Sequence, residues 1–169
     1  MLAVRTAAAE DKLAVARVHV RSWQVAYRGI FPDDYLDQLS PEDRAARYTF
    51  DSDDQSRQRT FVATDGTTIC GFATAGVSRD IDLEAAGEIY AIYVDPGSWG
   101  LGAGRLLIEN ARSLLCEMGF AQSFLWVLEG NERAKRFYMI DGWLPDGSAR
   151  TEDRWGVIAH EIRYRRPLL

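Results

Sequence analysis

The chain of 169 residues, 47% hydrophobic and 27% charged with a formal charge of −5, has the length of one ordinary domain, expected to span residues 1–169, and a composition that excludes fibrous and disordered classes. No run approaches the roughly 20 apolar residues of a membrane-spanning helix, and Met1 to Asp11 lacks a secretory leader's basic and apolar regions, so a cytoplasmic location and no membrane partner are expected. The acidic balance argues against nucleic acid, and Cys70 and Cys116, with His19 and His160 isolated from them, fit neither a disulfide framework nor a metal site.

After an extended opening at Ala3 to Thr6, Glu10 to Tyr27 carries Leu13, Ala16, Val20, Trp23 and Tyr27 on one stripe, predicting a first helix that Gly29 and Pro32 end. Asp33 to Leu39 and Pro41 to Tyr48 read as two short helical turns, with Ser40 capping the second. Asp51 to Arg59 reads as polar loop. Arg59 to Thr64 and Thr68 to Val77, joined at Asp65-Gly66, read as a β-hairpin. Glu88 to Val94 is dense in β-branched and aromatic residues and is stopped by Asp95-Pro96-Gly97, which predicts a central strand. A second long helix follows, with Ala103, Leu106, Leu107, Asn110, Ala111, Leu114, Leu115 and Met118 on one face and Gly119 at its end. Phe120 to Leu128 reads as a strand and Asn131 as the cap of a short helix through Ile140, stopped by Gly142. Two closing strands are expected at Trp143 to Thr151 and Trp155 to Arg163.

The segment Gly100-Leu101-Gly102-Ala103-Gly104 lies between a strand and a helix start, where uncapped backbone N–H groups attract anions. Arg105 sits in the first helical turn, where a cation opposes the macrodipole unless an anion is bound. A nucleoside-triphosphate loop is excluded because no lysine and hydroxyl follow the glycines, and the glycine spacing and position differ from a dinucleotide-binding fingerprint.

These residues resemble the GCN5-related N-acetyltransferases. The coenzyme A signature of that family, [RQ]-x-x-G-x-[GA] after a strand ending in V-x-P, reads here as Val94-Asp95-Pro96 and then Trp99-Gly100-Leu101-Gly102-Ala103-Gly104, with Trp99 where the family usually has Arg or Gln. The downstream pattern N-x-x-A-x-x-F-Y with a following glycine and aromatic reads as Asn131, Ala134, Phe137, Tyr138, Gly142 and Trp143. The resemblance implies an α/β (α+β) fold whose mixed, mostly antiparallel central sheet, of about six or seven strands, splays at a bulge near Ile92 and Tyr93 and is flanked by helices. It further implies acetyl-CoA as cofactor, with pantetheine beside Ile92, Tyr93 and Val94. The pyrophosphate would lie on Trp99 to Arg105, and Asn131, Phe137 and Tyr138 would complete that site.

Acetyl transfer to an amine requires a base for the ammonium and an acid for the departing thiolate. The two-residue strand period places Glu88, Tyr90, Ile92 and Val94 on one face, which makes Glu88 the expected base, directly or through water, and Tyr90 its helper. Tyr138, protonated at neutral pH, is the expected acid. Trp23 and Tyr27, with the turn Arg28 to Phe31, are expected to line the acceptor pocket together with Glu88 and Tyr90; Arg47, Arg150 and Arg154 are available to a substrate carboxylate. The acceptor is expected to be a small-molecule or peptide amine, a homodimer is compatible with the sequence, and the competing reading is a non-catalytic acyl-CoA-binding sensor.

Overall fold

The computed structural model describes residues 1–50 and 57–168. Most of the polar loop expected at Asp51 to Arg59 therefore lies outside the described residues. The order of elements is β1 (Leu2–Thr6), α1 (Lys12–Ala26), α2 (Asp33–Asp37), α3 (Pro41–Ala45), β2 (Gln58–Asp65), β3 (Thr68–Val77) and β4 (Gly87–Val94). It continues with α4 (Ala103–Glu117), β5 (Gln122–Leu128), α5 (Glu132–Ile140), β6 (Leu144–Arg154) and β7 (Val157–Pro167).

The seven strands form one sheet in the order β1-β2-β3-β4-β5-β7-β6, antiparallel everywhere except between β4 and β5. A parallel neighbour requires a crossover, and α4 supplies it. Alternation along the strands sends two sets of side chains to opposite faces. Phe61, Ala63, Ala73, Ala75 and Ile89 meet Leu107, Ile108, Ala111 and Leu115 of α4 on one face. Val62 and Phe72 meet Val15 and Val18 of α1 on the other. The expected stripe of α1 is buried at Ala16, Val20, Trp23 and Tyr27, but Leu13 is exposed, because the sheet contacts the helix through Val15 and Val18 instead.

Local signals act as their chemistry dictates. The Ser40 hydroxyl accepts from the Asp43 amide at 3.2 Å to start α3, and the Asn131 side-chain oxygen accepts from Ala134 N at 3.1 Å to start α5. After α5, the fully buried Trp143 donates its indole N–H to Asp141, which also receives Arg166 at 3.0 Å. This anchors α5 to the end of the sheet, and with it the orientation of Tyr138.

Candidate active site

β4 and β5 pair only over Gly87–Ile89 against Ser123–Leu125, and beyond Ile89 the two strands diverge. β4 also carries a bulge against β3: Ala91 faces Thr74 and Ile89 faces Ala75, leaving Tyr90 as the extra residue. The bulge thus lies two residues before the position expected near Ile92 and Tyr93. It also breaks the shared face expected for Glu88, Tyr90, Ile92 and Val94. Ile89, Ile92 and Val94 all pack toward α4, while Ala91 and Tyr93 pack toward α1, so Glu88 falls on the α1 side with Tyr93. Because both faces of β4 are packed, the spacing of its apolar residues did not reveal the inserted residue.

A cleft of about 1050 Å³ opens where the strands part, and among its walls are His19, Trp23, Tyr27, Glu88, Tyr90, Ile92, Tyr93, Val94, Trp99, Asn131, Phe137 and Tyr138. Its far end is the start of α4. Gly102 caps that helix at φ +97° and offers no side chain to the first amides, and no acidic residue occupies the first turn, so the N–H groups face the cleft unscreened. A Cβ on Gly104 would come within 3.2 Å of the Phe137 ring, so a glycine there lets α4 and α5 approach closely. Gly100, Ala103 and Arg105 line the same end, whereas the Leu101 side chain is exposed and outside the cleft lining. Arg105 extends into solvent and pairs with Glu109 at 2.9 Å. Trp99 turns its indole N–H to the Val94 carbonyl at 2.9 Å and carries the Arg133 guanidinium over its ring at 3.9 Å. A cation from α5 thus stands beside position 99 in the cleft wall, a neighbour that no motif spacing reveals.

Glu88 is 1% exposed, and its carboxylate receives Arg79 at three points: the backbone N–H at 2.8 Å, Nε at 3.3 Å and Nη2 at 2.7 Å. Tyr90 donates its hydroxyl to the Val77 carbonyl, and its ring lies under the same guanidinium at 4.0 Å. Both side chains line the cleft but are already committed to Arg79 and Val77, partners that sequence pattern alone did not identify. Tyr138 is different. It is buried, its hydroxyl makes no hydrogen bond within the described residues, and burial raises its pKa, with Tyr93 adding to the shift. Tyr27 and Tyr93 bring their hydroxyls to 3.5 Å of each other at the same point, so three phenols converge where β4 leaves β5.

Comparison with known proteins decides the family. The profile of the Acetyltransferase (GNAT) family matches residues 20–142. The N-acetyltransferase YuaI of Bacillus subtilis is 36% identical over 132 residues, 78% of this chain and 74% of its own. The chain belongs to the GNAT family. It is an acetyl-CoA-dependent N-acetyltransferase, and the seven-stranded mixed sheet flanked by helices is the fold expected for it. PaiA N-acetyltransferase from Thermoplasma acidophilum, solved with coenzyme A, has the same fold at a TM-score of 0.74, 19% identity and 99% coverage of both chains. So does yncA from Salmonella typhimurium, solved with acetyl-CoA, at 0.72, 17% identity, and 99% and 94% coverage.

The residues of this acetyltransferase fit its cofactor: an uncapped helix N-terminus, a strand edge released from pairing and a contact between α4 and α5 in which a Cβ on Gly104 would be tight form one continuous cradle. Of the strand edge expected to meet pantetheine, the Val94 carbonyl already accepts from Ser22 Oγ at 3.0 Å as well as from Trp99. At the other end of the cleft lies a cluster absent from the sequence expectations. His19 is buried and stacks on Tyr93 with 4.6 Å between centroids. Its Nδ1 receives Arg44 Nε at 3.2 Å and lies 2.8 Å from the Tyr48 hydroxyl. Donors meeting at Nδ1 leave the proton on Nε2, and burial together with the Arg44 charge holds the pKa well below the ordinary histidine value. Trp23 packs edge-on against Trp155 and on Tyr27 and Phe31, joining the cleft wall as part of an aromatic core. Phe31 lines the cleft as expected of its turn, but Arg28 turns outward to Asp33 and Asp37. Arg150 and Arg154 converge on the buried Glu161 at 3.5 and 2.9 Å. No helix among the described residues is long and apolar enough to cross a membrane, and no cluster able to hold a metal ion occurs among them.

Proposed function

We propose that one domain spanning residues 1–169 transfers the acetyl group to the primary amine of a small molecule or peptide in the cytoplasm, with Tyr138 as general acid and Glu88 as general base acting through water. The observation that carries this reading is the Tyr138 hydroxyl, without a hydrogen-bond partner among the described residues at the point where β4 and β5 separate. When bound, acetyl-CoA supplies an activated acetyl thioester. The amides of Gly100 to Gly104 hold its pyrophosphate with charge from Arg105 and Arg133, and Ile92, Tyr93 and Val94 with Asn131 and Phe137 line its arm. Tyr138 donates its proton to the departing sulfur. Trp23 and Tyr27, with Tyr90, shape the acceptor pocket.

Glu88 acts through water because its oxygens are already engaged by Arg79, so a water at the carboxylate relays the proton without dismantling the pair. Thiol release from acetyl-CoA with a panel of amines tests the activity; acetyl-CoA binding without release by any amine would favour the sensor reading instead. In Glu88→Gln, acetyl-CoA binding is retained and the rate falls by roughly a hundredfold, most severely at low pH where the amine most needs a base. A pH–rate profile parallel to that of the wild type would move the base to another group.

A further inference from the structure

We propose that the acceptor carries a carboxylate a few bonds from its amine, as a free amino acid does, and that Arg44 receives it. The inference rests on the transferase reading above and adds the substrate class. Arg44 lies in the wall of the cleft, layered between two aromatic rings, with its guanidinium carbon 4.7 Å from the Trp155 centroid and 5.2 Å from that of Tyr48. Its Nε is tied to His19 Nδ1, which fixes the rotation of the guanidinium plane. Histidine is a neutral partner here, because burial and Arg44 itself disfavour the imidazolium.

Arg44 forms no ion pair among the described residues; its neighbours there are the neutral His19 and the Tyr48 hydroxyl. Arg79 and Arg154, farther along the same cleft, are each paired with a buried carboxylate. A guanidinium set over two aromatic rings, anchored at Nε and with no carboxylate of its own presents a fork that matches the two oxygens of a carboxylate, with little side-chain entropy left to lose. Arg47, three residues on, adds a second cleft-lining cation with no ion pair among the described residues.

The distance to the chemistry sets the size of the acceptor. His19 bridges Arg44 to Tyr93, the residue of β4 beside the gap, through one stacked ring at 4.6 Å. A carboxylate on Arg44 therefore leaves an amine a few bonds away near that gap. The same cations disfavour a polyamine, whose charges would be repelled by Arg44 and Arg47.

The test compares amino acids with the corresponding amino amides, the corresponding amines without a carboxyl group, and a polyamine, using acetyl-CoA as donor. The wild type prefers the free carboxylate in kcat/KM by on the order of ten- to a hundredfold over the amide. Arg44→Gln removes that preference by raising KM for the amino acid alone, and Arg44→Lys, which keeps the charge but not the fork, restores it only in part. An amide or polyamine used as well as the amino acid, or a preference that survives in Arg44→Gln, overturns the proposal. Calorimetric binding of N-acetyl amino acids and of their amides to the coenzyme A-loaded protein reads the same site without turnover. Carboxylate-dependent binding lost in a folded Arg44→Gln, with no thiol release from any amine, would sink the transferase reading and support the site; carboxylate-independent binding, or none, would sink the site.

Discussion

A phenol can act as an acid only while it holds its proton, and at Tyr138 burial and the neighbouring Tyr93 both favour the protonated form. The shift that keeps the proton in place also weakens its donation, so the acid contributes most when the departing sulfur is most basic. Tyr138→Phe removes one oxygen from a ring packed against Phe137 and Trp143, and folding and cofactor affinity should change little. Steady-state kinetics should show kcat lower by on the order of ten- to a thousandfold, since a thiol near the usual cysteine value of about 8.5 is a tolerable leaving group. The loss should shrink with acyl donors whose thiols are more acidic; an equal loss with both donors would exclude the role.

At the scale of elements, the site is an arrangement of ends: the strand edge released where β4 leaves β5, the start of α4, and the capped start of α5. Gly104 joins two of these, because α4 approaches Phe137 so closely that even a Cβ would press on the ring at 3.2 Å. Gly104→Val should displace Phe137 and tilt the α4 amides away from the cleft. The wild type gains thermal stability as RT ln(1 + [L]/Kd) when acetyl-CoA binds the native state. The variant should melt at a lower temperature and show no shift at millimolar acetyl-CoA; a folded variant that keeps the shift would remove this helix start from the pyrophosphate site. The two closing strands illustrate why edges are weakly written. β6 pairs with β7 alone and is largely exposed, so little core selects its residues and its alternation is shallow.

The molecule as a whole carries a pH dependence from His19. In the unfolded chain this histidine titrates near the ordinary value of about 6.5, whereas in the fold, enclosed by Trp23, Phe72, Tyr93 and Trp155 and facing Arg44 and Tyr48, its pKa is well below that. Below pH 6.5 the unfolded state binds a proton that the folded state does not, so stability is present above that pH and falls as the solution is acidified, by up to about 1.4 kcal/mol per pH unit for one such group. The depressed carboxyls of Asp11 and Asp146 act in the same direction, but only lower, as pH falls through their own range below the ordinary carboxyl value of 3.8. Melting curves between pH 7.5 and 5 should therefore drop more steeply for the wild type than for His19→Gln; parallel curves would show that His19 does not titrate on unfolding.

The sequence alone determined the features written in consecutive residues. The glycines before α4, the Asn131 cap and the N-x-x-A-x-x-F-Y pattern act through local backbone geometry and one helical face, so their chemistry is complete within about ten residues. The mixed sheet and the cofactor followed from the family resemblance that the two motifs carry together, whereas the strand order did not. The tertiary structure alone decided what each cleft side chain meets. It displaced the bulge to Tyr90, gave Glu88 to Arg79 and Tyr90 to Val77, set Arg133 over Trp99, and brought His19 from α1 to Arg44 of α3 and Trp155 beyond β6. These contacts join residues from 9 to 136 positions apart, and they depend on angles between packed elements. Periodicity assigns a residue to a face, but the partner it finds there is chosen by how the faces close on one another.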